Sequence, residues 1–243
     1  MSYYSVQISL DNDYAFANRL SDLRRDYHLV LAEVGFGISA PELKTDYIEI
    51  RGMDGALDAS NAPQGYPTYK DRTITCKLFR EQRPFTPADI AEMRTLVSTL
   101  QGLYQGRRVR LILPDDTTHY FVGRVSFDLE PDEGFITLAA AVFPYRLKNT
   151  WTSFSTDALT TSWQTFYLTN EQRYVIPEIR VFQTTELQVL AGVRSIPPAV
   201  ILTSGTVWKL PDTLLVAGAI PVQMRIASGS GGEIDITYRE GKL

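Results

Sequence analysis

A chain of 243 residues, 44% hydrophobic and 11% aromatic, has enough apolar side chains for one large β domain or two ordinary ones, which excludes a disordered protein. Its 24 basic and 28 acidic residues leave a formal charge of −4, too small and of the wrong sign for a protein that grips phosphate backbones through a general basic surface. The single cysteine, Cys76, excludes an internal disulfide.

The opening stretch MSYYSVQISLDND has neither the basic region nor the unbroken apolar core of a signal peptide, and no later run approaches a membrane-spanning length. Synthesis and assembly in a cytoplasm are therefore expected. FANRLSDLRRD, further on, reads equally as a short helix or as a loop leading into the next strand. Alternating runs then dominate, with strands expected at His28 to Val34, Tyr47 to Arg51, Arg72 to Phe79, Val109 to Leu113, Tyr120 to Phe127 and Phe135 to Val142. Cys76 falls inside one of them and reads as a small strand residue. In YIEIRGMDGALDAS, Asp54-Gly55 between alternating segments signals a hairpin with a tight turn, because glycine takes positive φ without a Cβ penalty. PDDTTH and EPDEGF join the last three strands into a meander.

TPADIAEMRTLVSTLQG predicts one helix, about residues 87 to 101. Thr86 is placed to cap it, Pro87 suits its first position, and Asp89 complements its positive end. Ile90, Met93, Val97 and Leu100 form its apolar stripe, and Gly102 suits the stop.

A domain boundary is expected near Tyr145, giving domains 1–145 and 146–243. Residues 1–145 carry 15 basic and 20 acidic residues, residues 146–243 carry 9 and 8, and the second part opens on a Ser/Thr-rich aromatic segment. Short strands follow at Tyr174 to Phe182, Glu186 to Val189, Ala199 to Leu202, Val222 to Ile226 and Glu233 to Tyr238, a pattern that suggests a β-sandwich.

The chemistry of catalysis is thinly represented. With only His28 and His119, a multi-histidine zinc site is out of reach, and Cys76 alone cannot complete a cysteine site. Neither a calcium loop nor a phosphate-binding GxxxxGK[ST] loop occurs, and Gly35-Phe36-Gly37 is only a fragment of a dinucleotide motif. Asp115, Asp116, Glu130, Asp132 and Glu133 cluster in hairpin turns, where carboxylates are ordinarily solvated rather than held across a cleft. Arg107, Arg108 and Arg110 read as a charged strand entry at a subunit contact or exposed edge in preference to a phosphate site. No enzyme, metal or cofactor is expected. Trp151, Trp163, Tyr167 and Trp208 invite a sugar-stacking reading, against which stands the ordinary use of aromatics to fill a small sandwich core or its lid.

Taken in order, Gly52 to Asp58, the opening Tyr69-Lys70-Asp71-Arg72 of the next strand, the capped helix, RRVRLILPDD and Tyr120-Phe121-Val122-Gly123-Arg124-Val125 closely resemble the N-terminal domain of the distal tail protein of long-tailed, non-contractile bacteriophages. VIPEIRVF and GGEIDITYREGKL are similar to the first and last strands of the small galectin-like domain of that family. Arg51 and Met53 stand where the family has proline and often arginine, so no contact of those two residues carries over. The resemblance implies a mainly β protein, with an N-terminal β-sandwich bearing one packed helix and a C-terminal galectin-like β-sandwich. It implies a structural virion protein at the phage tail tip, a homo-hexameric hub ring between the tail tube protein and the tail-tip hub protein, with a receptor-binding protein nearby and DNA only in transit through the lumen. A head-to-tail ring needs two different complementary surfaces on each subunit, and Arg51, Gly52, Asp54, Gly55, Tyr69 and Arg72 are the candidates for one of them. The alternative is a carbohydrate-binding module that tethers the particle to host cell-wall polysaccharide.

Overall fold

The computed structural model describes residues 5–11, 20–51, 54–60, 67–81, 86–132, 134–190, 199–210 and 214–243. The chain divides into two compact units, Met1–Arg146 and Leu147–Leu243.

The first unit contains β1 (Gln7–Leu10), β2 (Ser21–Asp22), α1 (Leu23–Tyr27), β3 (Leu29–Ile38), β4 (Tyr47–Glu49), β5 (Ala56–Asp58), β6 (Arg72–Arg80), α2 (Pro87–Tyr104), β7 (Arg108–Leu113), β8 (Asp116–Glu130) and β9 (Phe135–Val142). Its main sheet is antiparallel and runs β2-β1-β7-β8-β9-β6-β3. The end strands β2 and β3 are consecutive in sequence, joined by the five residues of α1. Five helical residues span about 7.5 Å, whereas six flat strand spacings would cover about 29 Å, so the sheet must roll back on itself. Val6, Ile8, Ile74, Leu78, Leu111, Phe121, Phe127, Ile136 and Leu138 point into the space it encloses.

The stripe on α2 closes this core: Met93, Val97, Leu100 and Tyr104 are buried, while Ile90 is half-buried. Thr86 and Asp89 form a reciprocal capping box, with Pro87 in the first turn. The helix does not stop at Gly102, which lies exposed inside its last turn. It ends at Gln105, followed by Gly106 at φ 74°, the left-handed residue that a helix exit favours.

Two further expectations need correction, at His28 and at the Asp-Gly hairpin. His28 does not open a strand; it caps α1 at φ 55°, and β3 begins at Leu29. The Gly35-Phe36-Gly37 fragment lies within β3, where the register with β6 shifts between Leu31 and Phe36. Gly35, at φ 112°, takes up that bulge, and a Cβ there would meet the Lys77 side chain at 2.8 Å. The YIEIRG hairpin forms, with Glu49 opposite Ala56, but its loop is 50–55 rather than a two-residue Asp-Gly turn.

The boundary between the units falls within β10 (Arg146–Lys148), and the second contains β11 (Thr152–Leu159), β12 (Gln164–Asn170), β13 (Glu178–Val181), β14 (Thr185–Val189), β15 (Val200–Leu202), β16 (Val207–Trp208), β17 (Gly218–Ile226), β18 (Gly232–Tyr238) and β19 (Gly241–Lys242). Two four-stranded antiparallel sheets, β11-β18-β13-β16 and β12-β17-β14-β15, bury Ile179, Val181, Ile234 and Ile236 of the first against Leu168, Leu187, Val222 and Met224 of the second. Tyr238, fully buried on β18, donates its hydroxyl to the Thr169 carbonyl on β12 and so ties one sheet to the other. β11 and β12 fall in the Ser/Thr-rich segment, where no strand was expected.

Candidate assembly surface

Between β3 and β6 the chain leaves the sheet and returns, and the excursion is an arm. Its root is tied twice. Lys44 donates to the Thr68 carbonyl at 2.8 Å and Lys70 to that of Glu42 at 2.8 Å, around the bridge Leu43–Tyr69. Thr73 donates to the Ser39 hydroxyl at 2.9 Å, and Arg72 donates its Nε to the Ser39 carbonyl at 2.8 Å. Arg72 is 8% exposed, lies 5.7 Å from the Phe121 ring and reaches the Pro144 carbonyl at 3.5 Å. Burial and the neighbouring Arg146 lower its pKa. Tyr69, half-buried, meets Tyr145 edge to face at 5.9 Å. These two candidate interface residues are therefore the arm's anchors.

Beyond the root, β4 and β5 pair, among the described residues, only with each other, and all six of their residues are exposed. Ile48 pairs with Leu57, and Ile50 is the first residue of the loop that follows. Exposures of 48%, 47% and 44% at these three leave apolar surface open on the hairpin. Two-stranded hairpins are at best marginal in water and need a third partner. Tyr47, 60% exposed, lies on the opposite side with Glu49 and Asp58. Arg51, Asp54 and Gly55 sit at the tip, Gly55 at φ 81° with nothing within 4 Å of a Cβ built on it. Gly52 lies outside the described residues. Ile48, Ile50 and Leu57 were not singled out by sequence reasoning, because an apolar face on a strand reads as core until the strand is seen to stand alone.

Other candidate groups are scattered and satisfied locally. Asp115 pairs with Arg146 at 2.6 Å; Asp116 accepts from the Thr118 amide at 3.0 Å and lies 3.0 Å from His119 Nδ1. Glu130 accepts from the Thr137 hydroxyl and lies 3.4 Å from Lys77 Nζ, Asp132 is in the turn, and Glu133 lies outside the described residues. Asp11 holds both Arg108 and Arg110 at 2.7 Å, whereas Arg107 is exposed. Among the described residues no group of three or more His, Cys, Asp or Glu side chains could hold a metal ion.

The four aromatics of the second unit do not form one platform. Trp208 of β16 packs on the core and donates its Nε1 to the Thr203 carbonyl at 3.1 Å. Trp151, before β11, has the Arg239 guanidinium 4.4 Å from its ring. Trp163 and Tyr167 are the two that share a face, the outer side of β12, with Arg225 4.6 Å from the Trp163 ring and held by Glu186 at 2.7 Å. Tyr167 is 69% exposed.

No protein-family model matches this chain, and no curated protein matches it in sequence. Among solved structures, the chain is similar to the Dit (gp 19.1) protein of SPP1, described as a paradigm of the hub adsorption apparatus in phages infecting Gram-positive hosts. The match has a TM-score of 0.58 at 17% identity and covers 98% of this chain and 99% of that one. The mainly β fold with one substantial helix is thus the Dit fold from end to end.

Proposed function

We propose that this protein is a structural component of a bacteriophage tail tip, a hub whose copies close head to tail into a hexameric ring between the tail tube and the host-adsorption apparatus, with DNA passing through the lumen. The observation that carries the proposal is the exposed apolar face of the β4–β5 arm in a chain whose fold follows that of SPP1 Dit along its whole length. Fold alone does not assign a role; the arm supplies the physical reason for assembly, since a second copy can bury the apolar side chains that stand exposed on it. The role is one of scaffolding rather than catalysis. The N-terminal unit is the ring-forming domain, and the C-terminal sandwich is the smaller galectin-like domain of this reading. No helix among the described residues is long and apolar enough to cross a membrane.

Negative-stain imaging of the purified full chain tests the proposal. Annular particles with a central opening, single or stacked in pairs, are expected; fields of single small particles at every concentration would contradict it.

A second reading, weak polysaccharide binding by the C-terminal unit, is supported by the shared outer face of Trp163 and Tyr167 beside the Arg225–Glu186 pair. Retardation on a cell-wall polysaccharide column that is lost in Trp163→Ala or Tyr167→Ala would favour it, and free passage of the wild type would remove it.

A further inference from the structure

Resting on the ring reading above, the geometry also points to the surface that receives the arm. One hydrogen-bonded row crosses the first unit's sheet: Arg72 lies opposite Val142, Val142 opposite Gly123, Gly123 opposite Val109, and Val109 opposite Leu10. The row begins at the arm's root and ends, four strand spacings or about 19 Å along the sheet, at a recess of about 380 Å³ lined by Leu10, Asp11, Arg107 and Arg108. Root and recess are therefore level with each other and separated across the sheet. Copies related by rotation about an axis along the strands would bring the arm of one to the height of the recess of the next. That is the pair of unlike surfaces a head-to-tail contact requires.

The chemistry of the two surfaces matches. Leu10 gives the recess its apolar lining. Arg107 and Arg108 line it, Arg124 is exposed opposite Arg108 in the β7–β8 pairing, and Asp11 is the carboxylate that holds Arg108 and Arg110. From Asp46 to Asp58 the arm carries Asp46, Glu49, Asp54 and Asp58 against Arg51, an excess of three negative charges. The arm, acidic overall, with Ile48 and Leu57 on one side and Glu49 and Asp58 on the other, is thus opposite in charge to a recess that carries Arg107 and Arg108 beside Leu10. We propose that the recess at the α2–β7 junction is the docking site for the β4–β5 arm of a neighbouring copy.

Charge reversal on the full-length protein tests this. Arg107→Glu is the first variant, because Arg107 is exposed at the junction and its replacement leaves the Asp11 pairs intact; Glu49→Lys with Asp54→Lys is its counterpart on the arm. Assembly is followed by sedimentation over a concentration series at two salt concentrations, with circular dichroism as the control for folding. Each reversal is expected to raise the concentration needed for assembly at least tenfold, and the combination of both in one chain to recover most of that loss. Higher salt should weaken the wild type and leave the combined variant's advantage over the single ones. Unchanged assembly in Arg107→Glu, or a combined variant no better than the single ones, would overturn the recess as receiver while leaving the ring in place. Loss of retention on immobilised DNA in Arg107→Glu, with assembly unchanged, would assign the arginines to a phosphate backbone instead. A wild type that does not assemble would overturn both the recess and the ring.

Discussion

Gly123 on β8 lies opposite Val142 on β9 so closely that a Cβ added to it would sit 2.6 Å from the Val142 Cα and 2.1 Å from the Ala141 carbonyl oxygen. The glycine of the Tyr-Phe-Val-Gly-Arg-Val motif is thus required by the approach of two backbones, not by a turn. Gly123→Ala is expected to cost about 3 kcal/mol through backbone displacement, seen as a lower denaturation midpoint. Gly55→Ala, strained at φ 81° but open to solvent, should cost about 1 kcal/mol. Equal costs at the two sites would refute the close-approach account.

The helix that seals the first core depends on its cap. Thr86 accepts from the Asp89 amide at 3.3 Å, and Asp89 accepts from the Thr86 amide at 2.7 Å. Thr86→Ala should destabilise the protein by about 1 kcal/mol, with Thr86→Ser close to wild type. Chemical denaturation measures both, and an alanine variant as stable as the wild type would show the cap to be idle.

Cys76 is fully buried on β6, where burial pushes its thiol pKa up to about 12. It should resist thiol reagents at neutral pH and react only as the protein unfolds. The unfolded thiol ionises near pH ~8.5, so between there and about pH 12 the folded state holds the extra proton. Stability from this group is therefore complete below the lower value and falls as pH rises through the upper one. Rapid labelling of folded protein at pH 7 would contradict the burial.

The two cores draw on separate parts of the chain, none of the first lying beyond Val142 and none of the second before Phe154. A fragment covering residues 147–243 should accordingly fold alone. It retains Lys148, paired with Glu240 at 2.9 Å, and the Lys148 and Asn149 carbonyls that accept from Arg239. Cooperative thermal unfolding and protected amides are the expected result; a disordered fragment would place essential contacts outside it.

How much of this could be read from sequence depended on whether each strand buries its apolar side within its own chain. β6 and α2 were legible because Ile74, Cys76 and Leu78 alternate into the core, and Met93, Val97 and Leu100 recur at helical spacing. β11 and β12 were not, because they are edge strands with Ser153, Ser155 and Thr165 exposed and few fully buried residues. Tyr47 to Arg51 was legible as a hairpin strand, and the tip residues Arg51, Asp54 and Gly55 as a loop. That Ile48, Ile50 and Leu57 face solvent was not, since alternation carries no record of whether a partner lies in the same chain. That the candidate interface residues Arg72 and Tyr69 also hold the root of the arm was not legible either, since their partners Ser39 and Tyr145 are distant in sequence.

The central claim is that copies assemble through the arm, and native mass spectrometry of the full-length wild type beside Ile48→Asp tests it most directly. As a surface change, Ile48→Asp should alter stability by no more than about 0.5 kcal/mol, so both proteins should be folded. The account predicts six copies, or twelve as stacked rings, for the wild type and monomers for the variant. A wild type that stays monomeric across a wide concentration range, or a variant that assembles as well as the wild type, would contradict it.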